Sequence, residues 1–125
     1  MTYVLGARSL DNLTGVHPDL VAVVKLAITI TKQDFSVGEG IRSVERQKTL
    51  VASGKSTTMN SRHITGHAVD LFPYPVSWDW KYFHPIHAAM KSAAETLNVE
   101  LTWGGDWKSF PDGPHFQLSW KAYPK

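Results

Sequence analysis

Residues 67–72 read His-Ala-Val-Asp-Leu-Phe. In an extended chain Ala68, Asp70 and Phe72 point to one side, and His67, Val69 and Leu71 to the other. Apolar side chains on both sides predict a mostly buried strand. Its single carboxylate is costly to bury alone, so any fold that accepts this strand must bring Asp70 a partner. Two partners fit, a divalent metal ion or an arginine in a salt bridge.

The chain has 125 residues, enough for one domain and too few for two good cores. We therefore expect a single domain over 1–125, with no separate second domain. A helix is predicted at Pro18–Ile30, where Leu20, Val23, Val24, Ala27 and Ile28 fall on one face. Pro18 suits a first helical position, and Asp19 suits the positive end of the helix dipole. A short strand at 35–37 leads into Gly38-Glu39-Gly40. A second helix spans 44–53, with Ser43 as N-cap and Gly54 as its stop. Residues 55–62 are polar and read as a loop. A third helix at 85–97 carries Ile86, Ala89, Met90, Ala93 and Leu97 on one stripe. Strands at 100–103 and His115–Leu118 flank a break at Gly104-Gly105 and a turn-rich loop at 110–114. Helices and strands do not alternate regularly. The expected class is α+β, a small antiparallel sheet with about three helices.

Composition excludes several chemistries. There is no cysteine, hence no disulfide, thiolate zinc site or cysteine nucleophile. Thirteen Lys and Arg against eleven Asp and Glu give a net charge of +2, and no two basic residues are adjacent. That scatter argues against a nucleic-acid partner. No stretch approaches the ~18–20 apolar residues of a membrane span, so no stable membrane association is expected. The first residues, MTYVLGARSLDNLTG, lack the pattern of a signal peptide. Synthesis in the cytoplasm is expected, with another exit route for any work beyond the membrane. A monomer is the default expectation.

Two segments carry the chemistry. Ser61-Arg62-His63-Ile64-Thr65-Gly66-His67-Ala68-Val69-Asp70 puts a loop histidine seven residues before the buried acid. Asp112-Gly113-Pro114-His115-Phe116-Gln117 puts a second histidine at the start of a strand, just after a turn with another carboxylate. His63, Asp70 and His115 together offer two imidazoles and one carboxylate. This donor set leaves the fourth position of a tetrahedral zinc open for water. Such ligands suit zinc without excluding other metals. Asp112, three residues before a candidate ligand, can stand beside that water and move its proton.

The pattern Ser-x-His-x-x-Gly-x-Ala-x-Asp, followed far downstream by acid-x-x-His, resembles the zinc D,D-peptidase family. That family includes the VanX and VanY peptidases and phage endolysins that act as L-alanyl-D-glutamate peptidases. The segment Gly40-Ile41-Arg42-Ser43-Val44-Glu45-Arg46-Gln47 resembles the family's Gly-x-Arg-Ser/Thr segment. Trp103-Gly104-Gly105-Asp106-Trp107 resembles the endolysin branch. The resemblance implies the D,D-peptidase (hedgehog-like) fold, one Zn²⁺ held by His63, Asp70 and His115, and Asp112 as general base and then acid. The dipeptidase branch has Glu where this chain has Asp112. It also implies that Arg42 neutralises charge on the scissile carbonyl or fixes a substrate carboxylate, with Ser61 and Gln47 as further substrate contacts. His67 falls at a variable slot and takes no ligand role. The implied function is lysis, by cutting the L-Ala–D-Glu bond of the peptidoglycan stem peptide. A separate pore-forming protein would then let the enzyme reach the wall.

Plainer readings exist for the same residues. Arg42 can be an ion-pair partner of Glu39 or Glu45, Ser61 a loop cap, and Gln47 a solvated helix residue. His84 and His87 have chelating spacing but no third ligand, and His17 reads as a loop residue. Most of the five tryptophans are needed for packing, and Trp103 and Trp107 are the candidates for lining the cleft. Asp106 rivals Asp112 for proton transfer. Competing functions are a D-alanyl-D-alanine carboxypeptidase or dipeptidase at the same site, a metal-dependent nuclease, and a wall-binding module that keeps zinc without catalysis.

Overall fold

The computed structural model describes residues 2–56, 58–109 and 111–124. Among them the elements run α1 (Ala7–Asn12), α2 (Pro18–Ile30), β1 (Phe35–Glu39), α3 (Val44–Ala52), β2 (Ala68–Pro73), α4 (Trp80–Leu97), β3 (Leu101–Trp103), a 3-10 turn (Gly104–Asp106) and β4 (His115–Leu118). The strands form one sheet in the order β1-β2-β4-β3, and every neighbouring pair is antiparallel. The α+β class and the small antiparallel sheet agree with expectation. Phe110, in the expected loop at 110–114, and Thr57, in the loop at 55–62, lie outside the described residues, as do Met1 and Lys125 of the expected 1–125 domain.

The predicted stripes form the core. Leu20, Val23, Val24, Ala27 and Ile28 of α2 are all buried, and α2 packs against α4, whose Phe83, Ile86, Met90 and Ala93 are buried too. Val69 and Leu71 of β2 and Phe116 and Leu118 of β4 complete the same cluster. Each such side chain contributes about 1.5–3 kcal/mol when fully buried. With Val69, Leu71 and Pro73 committed to the core, alternation sends Asp70 and Phe72 to the opposite, half-open face of the sheet. That face holds the candidate site.

Three features differ from expectation. Helix α4 begins at Trp80 rather than Pro85, because Asp79 caps it: its Oδ1 accepts from the Lys81 backbone N–H at 3.0 Å. Pro85 therefore lies inside the helix, at the loss of one backbone hydrogen bond. At the other end Leu97 is 40% exposed, one residue before Asn98 closes the helix in the left-handed conformation at φ 61°. Helix α1 brings the helices to four among the described residues, against about three expected. It has no apolar stripe to announce it. Its role lies in two polar side chains: the Val37 N–H donates to Ser9 Oγ at 3.0 Å, and Asn12 Nδ2 donates to the Val37 carbonyl at 2.8 Å. These bonds satisfy the outer edge of β1, the exposed flank of the sheet. No described helix is long and apolar enough to cross a membrane.

Candidate active site

Asp70 on β2 and His115 on β4 are register partners, so the ladder itself sets them side by side. His115 Nδ1 lies 3.4 Å from Asp70 Oδ1. His63 arrives from the loop before β2, and its Nε2 lies 3.2 Å from the same oxygen. That loop is fastened at several points. The His63 N–H donates to Ser61 Oγ at 3.2 Å, and the His63 carbonyl accepts from the Arg42 N–H at 2.9 Å. Next to it, buried Arg62 donates from Nη2 to the carbonyls of Leu118, Ser119 and Tyr123, and its guanidinium lies over the Trp120 ring.

The outer nitrogens of both imidazoles are also engaged. His63 Nδ1 donates to the Gly40 carbonyl at 2.8 Å, which leaves Nε2 with a lone pair. His115 Nε2 donates to Gln117 Oε1 at 2.7 Å, which leaves Nδ1 free in the same sense. The two lone pairs and the Asp70 carboxylate converge, with one donor atom from each residue within 4.8 Å of the others. This is how metal-binding histidines are oriented, with the non-ligating N–H held by an acceptor. Among the described residues, His63, Asp70 and His115 form the group able to hold a metal ion. Two imidazoles and one carboxylate fit a divalent cation with a coordination position left for solvent.

Without an ion the protonation differs: the inner ring nitrogens share protons with Asp70, and a bound cation would displace those protons. Burial pushes the Asp70 carboxyl up, but hydrogen bonds from His115 and His63 outweigh it and hold Asp70 well below the usual carboxylate range. For His115 burial favours the neutral ring, yet the bond to Asp70 wins and its pKa is raised. Asp112 shifts the other way. Burial raises its pKa, and the nearby Asp70 charge raises it further.

Asp112 is positioned by a folded turn rather than by a regular element. Its N–H donates to the Gly104 carbonyl at 2.9 Å, and the Trp103 indole N–H donates to the Gly113 carbonyl at 2.7 Å. Gly104 is needed there: a Cβ on it would fall 2.6 Å from the Asp112 carbonyl oxygen and 2.9 Å from the His115 Cβ. Gly104→Ala should therefore lower stability by about 1–3 kcal/mol, the range for overpacking, and depress activity as the turn shifts. Thermal unfolding measured beside turnover checks this. An unchanged midpoint would mean the turn relaxes freely.

The other candidates take distinct places. Arg42 donates through Nε to Glu39 at 3.0 Å and through Nη1 to Gln47 Oε1 at 2.8 Å, while Nη2 pairs with Glu39 and lies 3.8 Å from Asp70 Oδ2. It is thus both an ion-pair partner of Glu39 and a neighbour of the candidate metal centre. Gln47 is neither a solvated helix residue nor a surface contact, since it is fully buried. Its amide N–H groups donate to Ser56 Oγ and the Thr58 carbonyl, which aims its oxygen at Arg42. Trp103 is also buried, 6% exposed, and stacks on His87 with ring centroids 4.0 Å apart. The two expected substrate contacts Gln47 and Trp103 are both buried with their polar atoms bonded inside, and Trp103 also lines a cavity together with His87 and Asp106. Trp107 is the aromatic at the site, 5.0 Å from the His115 ring and 38% exposed. Asp106 is exposed and lines a cavity of about 340 Å³ with His87 and Lys91. His17 caps α2, its Nδ1 accepting from the Asp19 N–H. Residue reading missed Gln117 and Gly40. Gln117 had a signal, since residues two apart on a strand share a face and His115-Phe116-Gln117 has that spacing.

The sequence matches the family described as phage L-alanyl-D-glutamate peptidase over residues 1–118. The chain belongs to this family. The L-alanyl-D-glutamate peptidase of Escherichia phage T5 is 32% identical over 119 residues, covering 90% of this chain and 87% of that protein. The enzyme of the same name from Listeria phage A118 is 31% identical, over 98% of this chain but 45% of that longer protein. The crystal structure of the Serratia marcescens L-Ala D-Glu endopeptidase ChiX superposes with a TM-score of 0.92 at 48% identity, covering 98% of this peptidase and 95% of that chain. The fold of this phage-type peptidase is therefore that of a known endopeptidase.

Proposed function

We propose that the chain is a zinc-dependent peptidoglycan endopeptidase of the phage endolysin type, which hydrolyses the L-Ala–D-Glu bond of the stem peptide. The carrying observation is the convergence of His63 Nε2, His115 Nδ1 and Asp70 Oδ1, with the outer nitrogen of each imidazole already bonded. His63, Asp70 and His115 would hold the ion. When bound, it supplies Lewis-acid polarisation and lowers the pKa of water toward neutrality. Asp112 takes the proton of the attacking water and returns it to the departing nitrogen. Its raised pKa suits a group that must hold that proton between the two steps. Arg42, steadied by Glu39 and Gln47, offsets negative charge on the scissile carbonyl oxygen or grips a substrate carboxylate. Ser61 holds the His63 loop and, half-buried there, is the hydroxyl offered to the peptide. The domain works as one catalytic unit with one core, on the wall outside the inner membrane.

Digestion of purified muropeptides, followed by mass spectrometry with and without a chelator, tests this reading. The expected products carry a new free L-Ala carboxyl end and a new D-Glu amino end. Chelation should abolish their release and added zinc should restore it. Loss of terminal D-Ala, or turnover indifferent to the chelator, would overturn the proposal.

A further inference from the structure

Trp78 is the most exposed of the tryptophans, at 68%. It follows β2, packs on Phe72, and its ring centroid also lies 6.3 Å from that of the core residue Phe83. Phe72 follows Asp70 by two positions on β2, so both side chains leave the same face, about 6–7 Å apart. The Trp78 ring meets the Phe72 ring edge-on at a centroid distance of 5.4 Å. Gly38 leaves the Phe72 ring its room: a Cβ there would fall 2.4 Å from the ring. Together these form an aromatic shelf that continues the site past Asp70. Arg42 lies on the other side. In the β1–β2 register Ser36 faces Phe72 and Glu39 faces Asp70, so the chain passes the acid before reaching Arg42, whose N–H is bonded to the His63 carbonyl. Arg46 adds a second cation there, 3.7 Å from Glu39. Beyond Asp70 this side of the sheet is thus aromatic in one direction and, in the other, carries two guanidiniums gathered around Glu39.

The substrate has the same polarity. The L-Ala side of the scissile bond is joined through a lactyl group to an amino sugar, whose ring offers flat C–H faces. The D-Glu side continues into carboxylates. We propose that Phe72 and Trp78 form a saccharide subsite that stacks the sugar ring of the glycan strand, with the acidic peptide running toward Arg42. This assignment rests on the proposed L-Ala–D-Glu activity. Sugar stacking matches exposed aromatic faces, whereas a carboxylate-bearing peptide matches the guanidiniums.

The test compares Trp78→Ala with the unaltered chain on two substrates, a disaccharide-linked stem peptide and the same peptide without sugar. The expected result is a loss of about tenfold in kcat/KM on the sugar-linked substrate, the scale of one aromatic contact, with the sugar-free rate kept within about twofold. Trp78→Tyr should recover most of the loss. Equal losses on both substrates, or none on either, overturn the subsite. A titration with the peptide-free disaccharide, followed by indole N–H NMR signals, separates this from failure of the activity itself. A shift of the Trp78 signal supports the shelf even if the L-Ala–D-Glu bond is not cut, and an unmoved signal overturns it.

Discussion

Asp112→Asn should slow hydrolysis by at least ~10²-fold while the protein keeps its fold and its metal, since a positioned acid–base group contributes at least that much. Asn is nearly the same shape, and the backbone bonds that fasten the turn, from the Asp112 N–H to Gly104 and from the His115 N–H to the Asp112 carbonyl, remain. What is lost is a carboxylate able to carry a proton. The pH profile gives a second readout. In the metal-free chain burial first, and the Asp70 charge second, raise the Asp112 pKa. The base must be ionised to accept a proton, so activity should fall as pH drops through the pKa that Asp112 has in the metal-loaded enzyme, which a nearby cation sets below the metal-free one. The acid-side limb belonging to Asp112 should be missing in Asp112→Asn. Steady-state rates across pH, with metal analysis of the purified variant, check both points. Near-normal turnover would remove Asp112 from the mechanism.

His63→Ala should have the opposite signature, with metal lost along with activity. One of three ligand atoms disappears, and affinity should fall by well over the ~10–100-fold typical of changing a ligand's supporting partner. The ring is buried and its Nδ1–H serves the Gly40 carbonyl, so the variant also leaves that acceptor unpaired, at about 1–3 kcal/mol of stability. Gln117→Leu keeps all three ligands and removes only the acceptor that orients His115. Its affinity loss should stay within the ~10–100-fold range. Zinc competition against a chromophoric chelator measures all three proteins. If His63→Ala bound zinc as the parent does, the His63–Asp70–His115 centre would be refuted.

Much of the scaffold was legible because burial leaves a periodic trace. The stripe on α2 and the stripe from Ile86 to Ala93 on α4 went inside as their spacing required. Asp70 was legible for the converse reason, as a charge that breaks an apolar strand and so needs a partner. Of the two partners weighed for it, the arginine is there as Arg42 at 3.8 Å, and the donors that could hold a metal ion, the imidazoles of His63 and His115, lie 3.2 and 3.4 Å from Asp70. Helix α1 leaves no periodic trace because it works through Ser9 and Asn12, which bond to a strand 28 and 25 residues away.

Local pattern alone thus determined which faces turn inward, which residues have metal-binding chemistry, and that one acid sits where solvent cannot fully serve it. Tertiary structure decided the use of polar and amphipathic residues. Gln47 lies beneath Arg42 rather than in water, Trp103 spends its N–H on Gly113 while Trp107 meets His115, and Gln117 and Gly40 fix the rings of His115 and His63. The physical reason is range. An apolar side chain is sorted by its own element's period, but a hydrogen-bonding group is sorted by whichever donor or acceptor the folded chain brings within about 3 Å, and that partner is often remote in sequence.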